Sequence, residues 1–393
     1  MQHSEPAPLD KVYAAPGSPP LDAVRASASE QASKLRAWAS KLLLLSLAGF
    51  GVSIVATAVT GSAGLGTILF LGSALVALAG AGPGGAGVAS AVGLVFGNLF
   101  MTGLGAFAAL LSTMTFTRGR QIRSRGKILL PPVEHGDAWT GAGLSSAGPI
   151  GVVDTDDEET RRALAAQWRE NGRTEHASVA AFARLTLDLM ALGAPPELVA
   201  DANRDALDEI RHTELCFGLA RAIDGSSESP GAFPEASRAR ALSRSRTLAL
   251  AQLAVDSLVD GALHEGVSAR IIAKLARRCE APAIQTILKE IAADEGRHAR
   301  HGWDVVRWCL AEGGESVAHA LEGALRALPK TMSSPMPEVA RDGRWERWGI
   351  MGEQLEAEEH EATRTDLERR LGQAIAATRS RQSAFGYGNV SVG

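Results

Sequence analysis

The chain has 393 residues, enough for one sizeable domain plus extra segments or for two domains, and a formal net charge of −4. That near balance of charge gives no support to a nucleic-acid partner. The three cysteines, Cys216, Cys279 and Cys309, are odd in number and form no CxxC pair, which argues against a disulfide framework or a cysteine-type zinc site and suits a reducing compartment.

Residues 1–33, rich in Pro, Ala and Ser, read as a mobile tail and lack the basic-then-apolar start of a cleavable signal peptide. Between Lys41 and Arg118 the chain then carries no Asp, Glu, Lys, Arg or His. Apolar blocks at roughly 42–60, 65–81 and 88–116 are separated by Gly-rich turns, and each approaches the ~20 residues a helix needs to cross a bilayer. Gly93 and Gly97 make a GxxxG spacing suited to closely packed membrane helices. Residues 34–118 are therefore expected to form transmembrane helices. Lys34, Arg36 and Lys41 flank the stretch on one side, and Arg118, Arg120, Arg123, Arg125 and Lys127 on the other. The positive-inside rule asks for both flanks in the cytoplasm and an even number of crossings, whereas three blocks are odd, so the number of crossings stays open. The denser cluster places the C-terminal part in the cytoplasm.

Residues 119–153 read as a linker, and 154–313 hold four long helical patterns. The first, from about Asp156 to Leu192, stops at Gly193-Ala194-Pro195-Pro196, and the second, from about Pro196 to Ile223, stops at Asp224-Gly225. A Ser/Pro/Gly-rich connection of about 20 residues leads to a third, from about Ser245 to Glu280. Pro282 opens the fourth, which runs to about Glu312. Two hairpins joined by one long crossover is an all-α, four-helix-bundle connectivity. Further helices are expected within 314–380, and 381–393 read as a disordered tail.

The second pattern contains Asp208-Glu209-Ile210-Arg211-His212 and the fourth Asp294-Glu295-Gly296-Arg297-His298, the same D-E-x-R-H twice. Residues three apart share a helix face, so Glu and His of each motif address one point. The first and third patterns each set a Glu in an apolar stripe: Glu175 among Trp168, Val179, Phe182 and Leu189, and Glu265 among Leu258, Gly261, Ser268, Ile272 and Leu275. Four carboxylates and two imidazoles then point into one core, and buried carboxylates need a counter-charge, which a pair of divalent metals supplies. Asp208 and Asp294 stand four residues before the histidines, either as carboxylates that orient an imidazole on their own or the facing helix, or as i,i+4 surface pairs. His176 and His264 adjoin ligand candidates in sequence and are expected off the ligand face.

The order Glu175, Glu209/His212, Glu265, Glu295/His298 resembles the ferritin-like superfamily, and within it the bacterial ferritin-like domain proteins that read E-H-A-S-V-A-A-F early and D-E-x-R-H twice. The resemblance covers about 160 residues and implies a ferritin-like four-helix bundle with one long crossover. It also implies two iron ions, with manganese or a mixed pair as alternatives, and reaction with dioxygen or peroxide through an unknown redox partner. Joined to the apolar stretch, it suggests attachment to a bacterial inner membrane, with a homo-oligomer left open. The two tyrosines, Tyr13 and Tyr387, lie outside the bundle, so a tyrosyl-radical role has no support. Three functions remain: a membrane-anchored di-iron oxidase, peroxidase or hydroxylase; an iron-handling protein; and a metal-stabilised scaffold without enzymatic activity.

Overall fold

The computed structural model describes residues 98, 101–103, 119–124, 127–140, 153, 155, 157–234, 242–331, 334 and 336–386. Of the apolar blocks expected to cross a membrane only residues 98 and 101–103 are described, and the expected N-terminal tail lies outside the described residues. The expected C-terminal tail is corrected in part, because residues 381–386 continue the last helix. Among the described residues, no helix is long and apolar enough to cross a membrane. The described part is mostly helical.

Helix α1 spans Glu158–Leu192, and its start is chemically marked. The Asp157 carboxylate accepts from the backbone N–H groups of Glu159 and Thr160, and two glutamates in the first turn complement the helix dipole. Gly193 ends it with φ of 70°, the left-handed conformation that favours glycine. Pro196 then opens α2 (Pro196–Asp224), where a missing N–H costs nothing. This tight connection lays α1 and α2 side by side along their length.

The second hairpin is less regular. Helix α3 (Arg246–Asp256) passes without a break into a π-helical segment, Ser257–Glu265, and then into α4 (Gly266–Arg278). The sequence period predicts one uninterrupted α-helix there; the chain instead widens by π turns, a feature that collects at functional sites. Helix α5 (Pro282–Ala327) packs against α3, the π segment and α4, and also against α2. It continues past Glu312, where the fourth pattern is expected to end, bending where Gly314 adopts φ of 54° and ψ of −135°.

Two short 3₁₀ turns, Glu338–Ala340 and Arg344–Trp348, lead into α6 (Glu353–Gly386), which lies against α5, α4 and the π segment. The apolar side chains of all these helices merge into one core, including Trp168, Phe182, Leu258, Leu288, Val305, Leu321, Leu355 and Leu371.

The stretch read as a linker is partly structured. It carries β1 (Arg123–Ser124) paired with β2 (Lys127–Ile128), and β3 (Val133–His135) paired antiparallel with β4 (Glu228–Pro230) in the crossover. Arg120, counted from sequence among the basic flank of the apolar stretch, is buried against the helices, with its guanidinium 5.5 Å from the Phe182 ring centroid. The Ser178 hydroxyl donates to its backbone carbonyl at 2.9 Å.

Candidate metal centre

Each helix of the two hairpins brings an acidic side chain inside, and two bring a histidine as well. Glu175 comes from α1, Glu209 and His212 from α2, Glu265 from the end of the π segment, and Glu295 and His298 from α5. All six are at most 4 % exposed, which separates them from the acidic clusters common on protein surfaces. They converge as two overlapping sets. Glu175, Glu209, His212 and Glu295 each offer one ligand atom within 4.8 Å of the others, and so do Glu209, Glu265, Glu295 and His298. Glu209 and Glu295 belong to both sets, so the sets share an edge.

The histidines are oriented by an exchange between helices. His212 of α2 meets Asp294 of α5 through Nε2 at 3.1 Å, while His298 of α5 meets Asp208 of α2 through Nε2 at 3.3 Å. Each ring thereby turns Nδ1 inward. Nδ1 of His212 lies 3.6 Å from Glu209 and 3.7 Å from Glu295, and Nδ1 of His298 lies 3.1 Å from Glu209 and 3.9 Å from Glu295. Arg297 ties the outer carboxylates together, reaching Asp294 at 2.5 Å and Asp208 at 2.8 Å. The two aspartates therefore serve the facing helix and are not simple i,i+4 surface pairs.

Despite these short approaches, many of the inner atoms lack a hydrogen bond. Both carboxylate oxygens of Glu209, both of Glu265, Oε2 of Glu295, and Nδ1 of His212 and of His298 are buried without a hydrogen-bond partner among the described residues. Leaving such an atom unsatisfied costs roughly 1–3 kcal/mol, and more when it is charged. Oxygen and imidazole lone pairs converging without donors between them fit a divalent cation, and the mixed donor set suits iron, manganese or zinc better than calcium.

The electrostatics agree with a site that has to take up positive charge. Burial raises the carboxyls of Glu175 and Glu295 well above the ordinary range, and neighbouring glutamates push the same way. Glu265 rises to about 7, again chiefly through burial. Burial would raise Glu209 too, but the rings of His212 and His298, with Nδ1 3.6 and 3.1 Å away, overcome it and set the group at about 2. For His212 burial disfavours the cation, yet Asp294 and Glu209 outweigh it and lift the ring to about 10. Protons and metal ions would thus compete for the same atoms, so metal uptake would release protons.

Several neighbours escaped the sequence reading. Asp205, four residues before Glu209 and so on the same face of α2, sits with Oδ2 2.6 Å from Nδ1 of His301 and Oδ1 3.7 Å from Nε2 of His298. That spacing was a usable signal. Arg120 had none: a positive charge beside Glu265, brought from a segment far upstream, is a tertiary fact. His264 is buried away from the inner atoms of the two sets, 3.4 Å from Asp260, and interacts with His360 of α6. His176 packs edge-on against Trp139, with ring centroids 4.9 Å apart.

No family model, curated protein or solved structure matches the chain. The functional reading therefore stands on this geometry.

Proposed function

We propose that α1, α2, the α3–π–α4 helix and α5 form a ferritin-like four-helix bundle holding two iron ions, and that the protein is a membrane-anchored oxidoreductase reacting with dioxygen or peroxide. The observation that carries this reading is the set of unpartnered, fully buried carboxylate and Nδ1 atoms from α2, the π segment and α5, joined by Glu175 of α1, each histidine being held from behind by an aspartate of the other helix. Two sets sharing Glu209 and Glu295 would hold two adjacent ions, one beside Glu175 and His212 and the other beside Glu265 and His298. Such a pair, when bound, supplies two one-electron redox centres to which a small oxidant can bind.

The chain's own residues perform the rest. Asp208 and Asp294 fix the imidazole tautomer with Nε2–H outward and the Nδ1 lone pair inward. The buried Phe182 ring, with its centroid 5.2 Å from that of His298, excludes water on that side of the site, which strengthens the charge interactions there. Asp205 and His301 form a buried pair adjoining His298, and the Asp205 carboxylate adds negative charge behind that ring. Membrane attachment rests on the charge-free stretch between Lys41 and Arg118.

Iron handling is a second reading, favoured by one observation. A cavity of about 80 Å³ beside the π segment is lined by Asp188, Asp256 and Asp260, along with Arg120 and Arg184, and its three carboxylates could take up a cation.

The test is metal content and oxygen uptake of the full-length protein after anaerobic loading with ferrous iron. About two ions per chain and oxygen consumption on exposure to air are expected. Glu209→Ala or Glu295→Ala should remove at least one ion; two ions retained in both variants would overturn the assignment. Oxidation of many equivalents of added iron would favour iron handling over a substrate oxidase.

A further inference from the structure

A second pocket lies on the opposite side of the ligand-bearing turns, where α4, α5 and α6 meet. It encloses about 160 Å³, the share of roughly five water molecules. Its floor is made of small residues next in sequence to the ligand candidates: Gly266 follows Glu265, and Gly296 follows Glu295. A Cβ at Gly266 would stand 3.1 Å from the Thr363 methyl, so glycine there keeps the floor open. The charged lining is three arginines against one aspartate: Arg270 of α4, Arg300 of α5, and Arg370 with Asp366 of α6.

Of the three guanidinium groups, Arg270 and Arg370 each meet one internal carboxylate, and Arg300 meets none among the described residues. Arg270 meets Glu359 through Nε at 2.6 Å. Arg370 lies 4.8 Å above the buried Trp303 ring, a flat support that fixes its plane, and reaches Asp366 only at 3.6 Å. Asp366 has its closer partner in Arg369, at 2.5 Å. Arg300 makes no ion pair among the described residues, and its Nη1 lies 3.7 Å from where a Cβ would stand on Gly296, so its head folds over the pocket floor. Three forks from three helices around a small open cavity match the several oxygens of a tetrahedral dianion better than a single carboxylate.

We infer that this pocket binds a phosphate group, either free phosphate or the phosphate of a lipid headgroup, with the remainder of a larger ligand extending into solvent. The inference does not depend on the metal reading. The volume limits what is enclosed to the phosphate itself, and the glycine floor places the bound anion against the turns that carry Glu265 and Glu295.

Calorimetric titration of the full-length protein at low ionic strength tests it, with inorganic phosphate and water-soluble dibutyryl phosphatidate as probes. Wild type should bind at least one probe, and Arg300→Gln should weaken that binding by about ten-fold or more, the scale of one charge-assisted hydrogen bond. Arg300→Lys should recover part of the loss. Arg300 is exposed and without an ion-pair partner among the described residues, so its removal leaves the fold in place; Arg370→Gln provides a second variant. Neither substitution touches a ligand candidate, so phosphate held by a metal ion would be unaffected by both. Tighter binding of the phosphatidate identifies a headgroup, and equal binding a soluble phosphate. No binding of either probe at millimolar concentration, or wild-type binding by both Gln variants, would overturn the proposal.

Discussion

Asp208 and Asp294 each stabilise a histidine they do not share a helix with, and that exchange couples α2 to α5 at the level of single atoms. Asp294→Asn removes the charge behind His212 while leaving the inner atoms in place. Metal affinity should then fall by about 10–100-fold with the helical content unchanged, measured by competition with a chromophoric chelator. From the sequence, the spacing of Asp and His within each motif allowed a partner on either helix; only the stagger of α2 against α5 decides it. A second residue-scale consequence concerns His360, whose ring burial, with His264 and Arg364 nearby, holds at about 4 against an ordinary 6.5. Between those values the unfolded chain takes up a proton that the folded chain refuses, so stability rises with pH through this window and is lost on acidification. Denaturant midpoints from pH 7 to pH 4 should fall less steeply in His360→Gln than in wild type; parallel slopes would remove His360 as the cause.

At the scale of elements, the π segment is what the sequence period could not show. The stripe Leu258, Gly261, Glu265, Ser268, Ile272 and Leu275 is buried as its spacing predicts, but so are Asp260 and His264, since all nine residues of Ser257–Glu265 are enclosed. A periodic pattern identifies one buried face; it carries no mark of a helix covered on every side, here by α5 on one flank and α6 on another. Close approach makes the enclosure possible. A Cβ on Gly302 would stand 2.7 Å from the Ala262 backbone nitrogen and 2.8 Å from Gly261, so the backbones of α5 and the π segment nearly touch. Gly302→Ala forces them apart and should cost about 1–3 kcal/mol, read as a lower denaturant midpoint. An unchanged midpoint would mean that the two backbones separate freely. The end expected at about Glu312 shows the converse error: the Gly313-Gly314 pair is absorbed as a bend within α5 because Val317 and Leu321 beyond it still bury against the core.

For the whole molecule, the helix order and the six candidate ligands were legible because both depend on local spacing. The role of residues 119–140 was not, because its partners lie far along the chain. Besides Arg120, Arg173 donates from Nε to the Pro131 carbonyl at 2.7 Å, Arg221 donates from Nη1 to the Thr140 hydroxyl at 3.1 Å, and β3 lies along β4. A chain beginning at Gly151 loses all of these, whereas one beginning at Gly119 keeps them. With net values of about 1 kcal/mol per hydrogen bond, the shorter chain should melt roughly 5–10 °C lower. Equal melting would show that the upstream segment rests on the helices without stabilising them. The β3–β4 pairing also has a kinetic meaning. It joins Val133 to Pro230 and so closes a loop of roughly a hundred residues around the complete α1–α2 hairpin. Closure over that span becomes affordable only once the hairpin has drawn its ends together, which makes this short ladder a late event in folding. By the same logic it is an early one in opening, and the chain upstream can come away from the crossover while α1 and α2 stay folded.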